Sequence, residues 1–151
     1  MAPLSAPSLA QLINRAARAF ARDADNMLRP LGLRYAQVPA LALLNEGVEL
    51  TQKELAEATG IEQPSMAQLL ARMDRDGLIR RKPNPHDARS QTIQLAGGAE
   101  ARLTEAHEHL VALDQRAVAG FTADEIATLR HLLTRLGDNL DRRNDPFPDP
   151  S

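Results

Sequence analysis

Two capped segments meeting at a glycine constrain this chain more than any other feature of its sequence. In "TQKELAEATG", residues 51–60, Thr51 is followed three positions later by Glu54, a reciprocal capping pair that starts a helix, and Gly60 supplies the left-handed residue that ends one. Only about two turns fit between them, too few for a helix that stands alone in water. The next stretch, "GIEQPSMAQLLARMDRDG", starts again at once. Pro64 suits a first helical turn, where its missing N–H costs little, and Gly77 closes the run. Two short helices around a glycine turn form a helix-turn-helix, in which each helix buries its apolar side against the other.

The flanking sequence is also helical in period. Leu9, Leu12, Ile13, Ala16, Ala17, Phe20, Ala24, Met27 and Leu28 recur at three-and-four spacing until Pro30 and Gly32 stop them. A shorter helix is predicted over 36–45, carried by Val38, Leu41 and Leu44. Beyond the helix-turn-helix, a long helix over 99–119 places Leu103, Ala106, Leu110, Leu113 and Ala117 on one side and breaks at Gly120. Thr122 and Glu125 form a second capping pair and open a last helix with Ile126, Leu129, Leu132, Leu133, Leu136 and Leu140. Only the "LIRRK" and "TIQL" segments read as strands, joined by a loop "PNPHDARSQ" over 83–91. The expected fold is therefore mostly α, a winged helix-turn-helix over 36–95 with a short two-stranded β wing. Helical regions at 8–30 and 99–143 flank it, and the ends, 1–7 and 144–151, are expected to be flexible.

Charge singles out the same central segment. The formal net charge is −2, yet residues 72–95 carry six basic side chains against three acidic ones. A local basic patch suits a polyanion. With 62–76 placed on a helix, Met66, Leu69, Leu70 and Met73 share the face that packs inward. Pro64, Gln68, Ala71 and Arg75 lie opposite, flanked by Ser65, Ala67 and Arg72. An amide, guanidinium groups and small side chains on one free face are what base edges in a DNA major groove require. Gln63, Ser65 and the helix amides can hold a phosphate. Arg80, Arg81 and Lys82, on the strand leading into the wing, suit further phosphates, and Asp87 is expected to brace the Arg89 guanidinium at the wing tip so that it enters an adjacent minor groove.

The apolar stripes at the two ends, represented by Leu9, Leu12 and Ile13 and by Leu129, Leu132, Leu133, Leu136 and Leu140, offer more apolar face than one small module needs. They predict a homodimer, the alternative being packing within one subunit. Two copies would also supply the phosphate contacts and site length that one reading helix lacks.

With these residues in place, the chain resembles the MarR family, the multiple antibiotic resistance regulators. The resemblance spans about residues 8–143 and is carried by "LTQKELAEATGIEQPSMAQLLARMDRDGLIRR" and by the wing "NPHDARS", whose Asp87-x-Arg89 stands where the family has its D-x-R tip. Ala67-Gln68 stands where many members carry a hydroxyl residue and Arg. The family implies a homodimeric winged-helix regulator that binds an inverted repeat in double-stranded DNA. It also implies release, in many members, by a small anionic or phenolic effector held between the lobes. Arg18, Arg34 and Tyr35 are candidates to receive such a ligand.

Other classes find less support. No G-x-S-x-G, H-E-x-x-H or glycine-rich phosphate loop occurs, and there is no cysteine, so neither a catalytic constellation nor a cofactor is expected. A metal-responsive regulator would need histidine ligands, but His107 and His109 point about 200° apart on a helix, which speaks against one shared ion. A helical interaction protein without DNA binding remains the third alternative. The sequence has no apolar run long enough for a membrane span and no leader pattern, which predicts a cytoplasmic protein.

Overall fold

The computed structural model describes residues 6–142, which form two compact units, one ending at Leu113 and one beginning at Asp114. The expectations for the extreme termini, at 1–5 and 143–151, lie outside the described residues.

The first unit opens with α1 (Leu9–Leu28), which has a capping box of its own: the Ser8 hydroxyl accepts from the Gln11 amide at 3.2 Å, and the Gln11 side chain accepts from the Ser8 amide at 2.8 Å. One 3-10 turn, Arg29–Leu31, follows and is closed by Gly32 at φ +70°, so Pro30 and Gly32 end the helix as their chemistry dictates. Helix α2 (Val38–Leu44) is shorter than expected. Its anticipated start is a separate 3-10 turn, Tyr35–Gln37, fixed because Asp25 accepts from the Tyr35 amide at 2.8 Å and Gln37 accepts from the Arg34 amide at 3.0 Å.

Strand β1 (Leu50–Thr51) leads without a linker into α3 (Gln52–Thr59). Thr51 is both the last residue of the strand and the N-cap of the helix; its hydroxyl accepts from the Glu54 amide at 3.2 Å while Glu54 accepts from the Thr51 amide at 2.7 Å. Gly60, at φ +72°, turns the chain into α4 (Gln63–Arg75). The wing is β2 (Ile79–Asn84) and β3 (Asp87–Leu95), and the sheet order is β1-β3-β2, all antiparallel.

One expectation is met and extended, and another is corrected. The wing is two-stranded as expected, and a third short strand, β1, joins its sheet, because Leu50 and Thr51 pair with Ile93 and Thr92; a two-residue strand is defined by its partner and carries no period of its own. The wing strands also run almost to the tip, leaving Pro85 and His86 as the connection where a loop over 83–91 was anticipated.

Leu28, Leu41, Leu44, Leu55, Met66, Leu70, Met73, Leu78 and Ile93 form the core of this unit, so α2, α3, α4 and the sheet share one apolar centre. Leu103 and Ala106 of α5 (Ala99–Ala117) join it. Each such side chain contributes about 1.5–3 kcal/mol by leaving water, which is what holds helices as short as α2 and α3 in place.

The second unit contains the end of α5, the turn at Gly120 (φ +84°) and α6 (Ala123–Asp141). The predicted Thr122–Glu125 capping box is formed, with both hydrogen bonds at 3.1 Å. No described residue of α6 is buried: Ile126 and Leu136 are half-buried, while Leu129, Leu132, Leu133 and Leu140 are exposed.

Candidate nucleic-acid interface

Helix α4 is seated by Met66, Leu70 and Met73, all fully buried, with Leu69 half-buried beside them. The opposite face is therefore fixed in direction: Gln63, Pro64, Ser65, Gln68, Ala71 and Arg75 are exposed, and Ala67 and Arg72 are half-buried at its edges. At its start, Glu62 occupies the N-cap position without a side-chain capping bond, so the first amides of the helix are free of a capping side chain. Gln52 at the head of α3 donates to the Gln63 side chain at 3.3 Å and ties the two helix starts together.

Open grooves run along both sides of α4. One, of about 690 Å³, lies between the helix starts and the wing and includes Gln52, Lys53, Gln63, Arg81 and Arg89. The other, of about 870 Å³, borders Ser65, Gln68, Ala71, Arg72, Arg75 and Arg81. Gln52 and Lys53, which line this groove, are not among the residues singled out from the sequence; the capping box at Thr51 is the signal that places them in the first turn of α3, Gln52 half-buried and Lys53 exposed.

The three cations on β2 differ from one another. Arg81 Nε stands 3.1 Å from an Asp74 carboxylate oxygen, and Lys82 Nζ stands 3.2 Å from Glu49, whose other oxygen accepts from Thr92 at 3.4 Å. Arg81 therefore ties the strand to α4, and Lys82 ties it to the approach to β1. Among the described residues, Arg75, Arg80 and Arg89 form no ion pair, whereas Arg72 lies 3.9 Å from Asp76 one turn on.

At the wing tip the strand pairing jumps from Pro83 opposite Gln91 to Asn84 opposite Asp87, so Ala88, Arg89 and Ser90 bulge out without partners. The expected brace is corrected: the Asp87 carboxylate accepts from the backbone amide of Arg89, at 2.9 Å, rather than from its guanidinium. A two-residue spacing favours this turn over a side-chain pair. Asn84 completes the tip, accepting from the His86 amide at 3.0 Å and donating to the Ser90 hydroxyl at 2.9 Å. The Arg89 side chain is left exposed on a hydrogen-bonded support.

The remaining candidates lie elsewhere. Tyr35 is partly exposed with its amide committed to Asp25, and Arg34 borders two recesses, neither of which Arg18 or Tyr35 lines. His109 stands 3.8 Å from Glu105. Among the described residues, no three His, Cys, Asp or Glu side chains gather in a metal-holding group, and no helix is long and apolar enough to cross a membrane.

This arrangement of helices and wing matches known proteins in sequence and in fold. A model of the MarR family matches residues 31–90. The multiple antibiotic resistance protein MarR of Escherichia coli (strain K12) is 30% identical over 130 residues, covering 85% of this chain and 90% of that protein. A crystal structure of an E. coli MarR variant complexed with operator DNA superposes with a TM-score of 0.78 at 29% identity, over 85% of this chain and 92% of that one. The M. tuberculosis transcriptional regulator MOSR in complex with DNA gives 0.77 at 28% identity, over 91% and 99%.

Proposed function

The chain belongs to the MarR family of DNA-binding transcription regulators, and from that premise we propose that it is a cytoplasmic homodimeric repressor of an inverted-repeat operator, released by a small anionic or phenolic ligand. The observation that carries the DNA half of the reading is the pairing of a free polar face on α4 with an unpaired Arg89 on a hydrogen-bonded wing bulge. Gln68 and Arg75 offer the donor and acceptor pattern that reads base edges in a major groove; Ala67, Ala71 and Pro64 allow close approach; Ser65, Gln63 and the α4 amides take a phosphate. Arg89 reads the adjacent minor groove through its width and potential, and Lys53 meets the backbone between them; Arg80, whose guanidinium lies beside Gly97, borders neither groove. Arg72, Arg81, Lys82 and Asp87 serve this surface chiefly by holding it in shape, through the bonds to Asp76, Asp74, Glu49 and the Arg89 amide. E. coli MarR and MOSR have both been crystallised on DNA, which supports the same use of this surface.

Regions 8–30 and 99–143 are the dimerisation part in this reading. Leu9 is 70% exposed and Leu132 and Leu140 are 50% and 59% exposed, with Leu12, Leu129 and Leu133 also open to water. Covering these with a second copy, alongside the half-buried Ile13 and Leu136, returns about 25 cal/mol for each Å² of apolar surface removed from water. A two-fold then presents two α4 helices to successive major grooves.

Selection from random duplexes with the purified protein tests the reading. The expected enrichment is an inverted repeat with half-site centres about 10 base pairs apart. Direct repeats, or no enrichment, would refute it, and loss of the gene should raise transcription from the promoter so identified.

A further inference from the structure

The wing is held on both of its faces. Side chains alternate across a strand, so Arg81, which borders both α4 grooves, leaves Lys82 on the opposite face. There Lys82 shares with Thr92 and Thr51 a register row that crosses all three strands. Glu49, two residues ahead of Thr51, reaches into that row. One of its carboxylate oxygens stands 3.2 Å from Lys82 Nζ, and the other accepts from the Thr92 hydroxyl at 3.4 Å. Among the described residues, Thr92 and Gln37 are the buried polar side chains, so the Thr92 end of this clasp is shielded from water.

Strand β1 supplies little hold of its own. It pairs with β3 only at Leu50 and Thr51, and beyond the Thr51–Thr92 row that edge of β3 has no strand beside it. From that row outward the wing is a two-stranded ribbon, and Glu49 spans the joint from which it projects. On the other face the Arg81–Asp74 pair restrains it against α4. The same joint is tied to the helix starts, since Thr51 is the N-cap of α3 and Gln52 bonds to Gln63 at the head of α4. Arg89 lies toward the tip from Thr92 by about 10 Å, at a strand rise of about 3.3 Å per residue. A swing of about 10° at the joint then moves the tip by roughly 2 Å, a third of a minor-groove width of about 6 Å.

We propose that Glu49 is a positioning residue for the wing: by clasping Lys82 and Thr92 it fixes the angle at which Arg89 meets DNA, and so sets the preference for the flanking sequence that Arg89 reads. The inference rests on the reading of α4 and the wing given above. In this role Lys82 touches no phosphate, because its charge is satisfied by Glu49 on the face turned away from the α4 grooves. Both partners of that pair are open to water, so its loss changes the populations of wing angles without unfolding the protein.

The test begins with the full-length protein and no DNA. Hydrogen exchange is followed by mass spectrometry over segments 49–52 and 90–94. Glu49→Gln and Lys82→Met should each speed exchange there about threefold or more, with the thermal melting curve and exchange in α4 unchanged. Binding is then measured on duplexes altered either at the A·T flanks or at the positions read by Gln68. Each substitution should lower flank discrimination about threefold or more and leave discrimination at the Gln68 positions intact. The two together should do no more than either alone, and the charge swap Glu49→Lys with Lys82→Glu should restore the preference. Glu46→Gln removes the same charge from an exposed residue in no ion pair among the described residues, and should change nothing. The proposal is overturned if exchange at the joint or flank discrimination is unaltered in Glu49→Gln, or if the charge swap fails to restore the preference. It is equally overturned if Glu49→Gln binds every duplex more tightly with a salt slope steeper by about one unit per subunit, which marks Lys82 as a phosphate contact that Glu49 masks. Each of these results leaves the DNA reading standing, because the unmodified protein's preference is measured alongside; an unmodified protein that selects no duplex refutes that reading, and the inference falls with it.

Discussion

Replacing Arg89 by Ala should change the salt dependence of DNA binding without changing the stability of the protein. The side chain is exposed, enters no ion pair among the described residues, and is held only through its backbone amide, so its removal leaves the wing hydrogen bonds intact. A dimer carries two such arginines. With each phosphate neutralised contributing about 0.9 to the log-log slope, losing both makes the slope shallower by about 1.8. Between 50 and 200 mM salt, a fourfold change, the affinity advantage of the unmodified protein should therefore shrink by roughly tenfold. Fluorescence anisotropy on one A·T-flanked duplex at four salt concentrations measures this directly. Arg81→Ala is the informative comparison. Arg81 is already paired with Asp74 at 3.1 Å, so its loss should appear in thermal melting, at up to about 1 kcal/mol for a half-exposed pair. Parallel salt slopes for Arg89→Ala and the unmodified protein would show that the wing tip is only a turn, and the reasoning above would fail.

Other substitutions separate the remaining parts. Gln68→Ala removes no charge, so the salt slope should hold while discrimination at one symmetric pair of base positions falls by about 1–3 kcal/mol per contact, read from titrations on singly substituted operators. Leu132→Glu with Leu133→Glu should give a folded monomer by light scattering and unchanged helical circular dichroism, since both side chains are exposed within one chain; a dimer that survives would move the interface elsewhere. Thr51→Ala loses the hydroxyl that accepts from the Glu54 amide and should cost about 1 kcal/mol in chemical denaturation, an unchanged midpoint counting against the cap.

What the sequence makes legible here is whatever is decided locally. The Thr51–Glu54 and Thr122–Glu125 boxes, Pro64 in the first turn of α4 and the glycine stops all depend on neighbours within a few positions, and they stand where the spacing predicts. The inward face of α4 is equally plain, because four apolar residues at helical spacing leave one way to bury them. Features made between distant segments are not legible. Strand β1 is too short to show alternation and exists because β3 lies beside it. Lys82 reads as a free cation until folding brings Glu49 to it from 33 positions away, and the same holds for Arg102, carried 71 positions to the Leu31 carbonyl. Asp87 departs from the expectation for a subtler reason: carboxylate and guanidinium two residues apart suggest a pair, but the backbone amide lies nearer and is reached without ordering the long arginine side chain.

The wing bulge has a thermodynamic consequence for the proposed complex. A nine-residue loop would have to be immobilised on meeting DNA, at about 1–2 kcal/mol of backbone entropy per residue. Here all but Pro85 and His86 of that stretch lies in strands, and Asn84, Asp87 and Ser90 lock the tip through side-chain hydrogen bonds. The ordering cost is met during folding, independent of DNA. Association then resembles the docking of a rigid key, with its enthalpy coming mainly from contact rather than being consumed in organising a loop. In the proposed complex the span from α4 to Arg89 also becomes a gauge: a duplex whose minor groove is too wide at that distance meets a wing already held by its own hydrogen bonds, and it must either deform or dissociate.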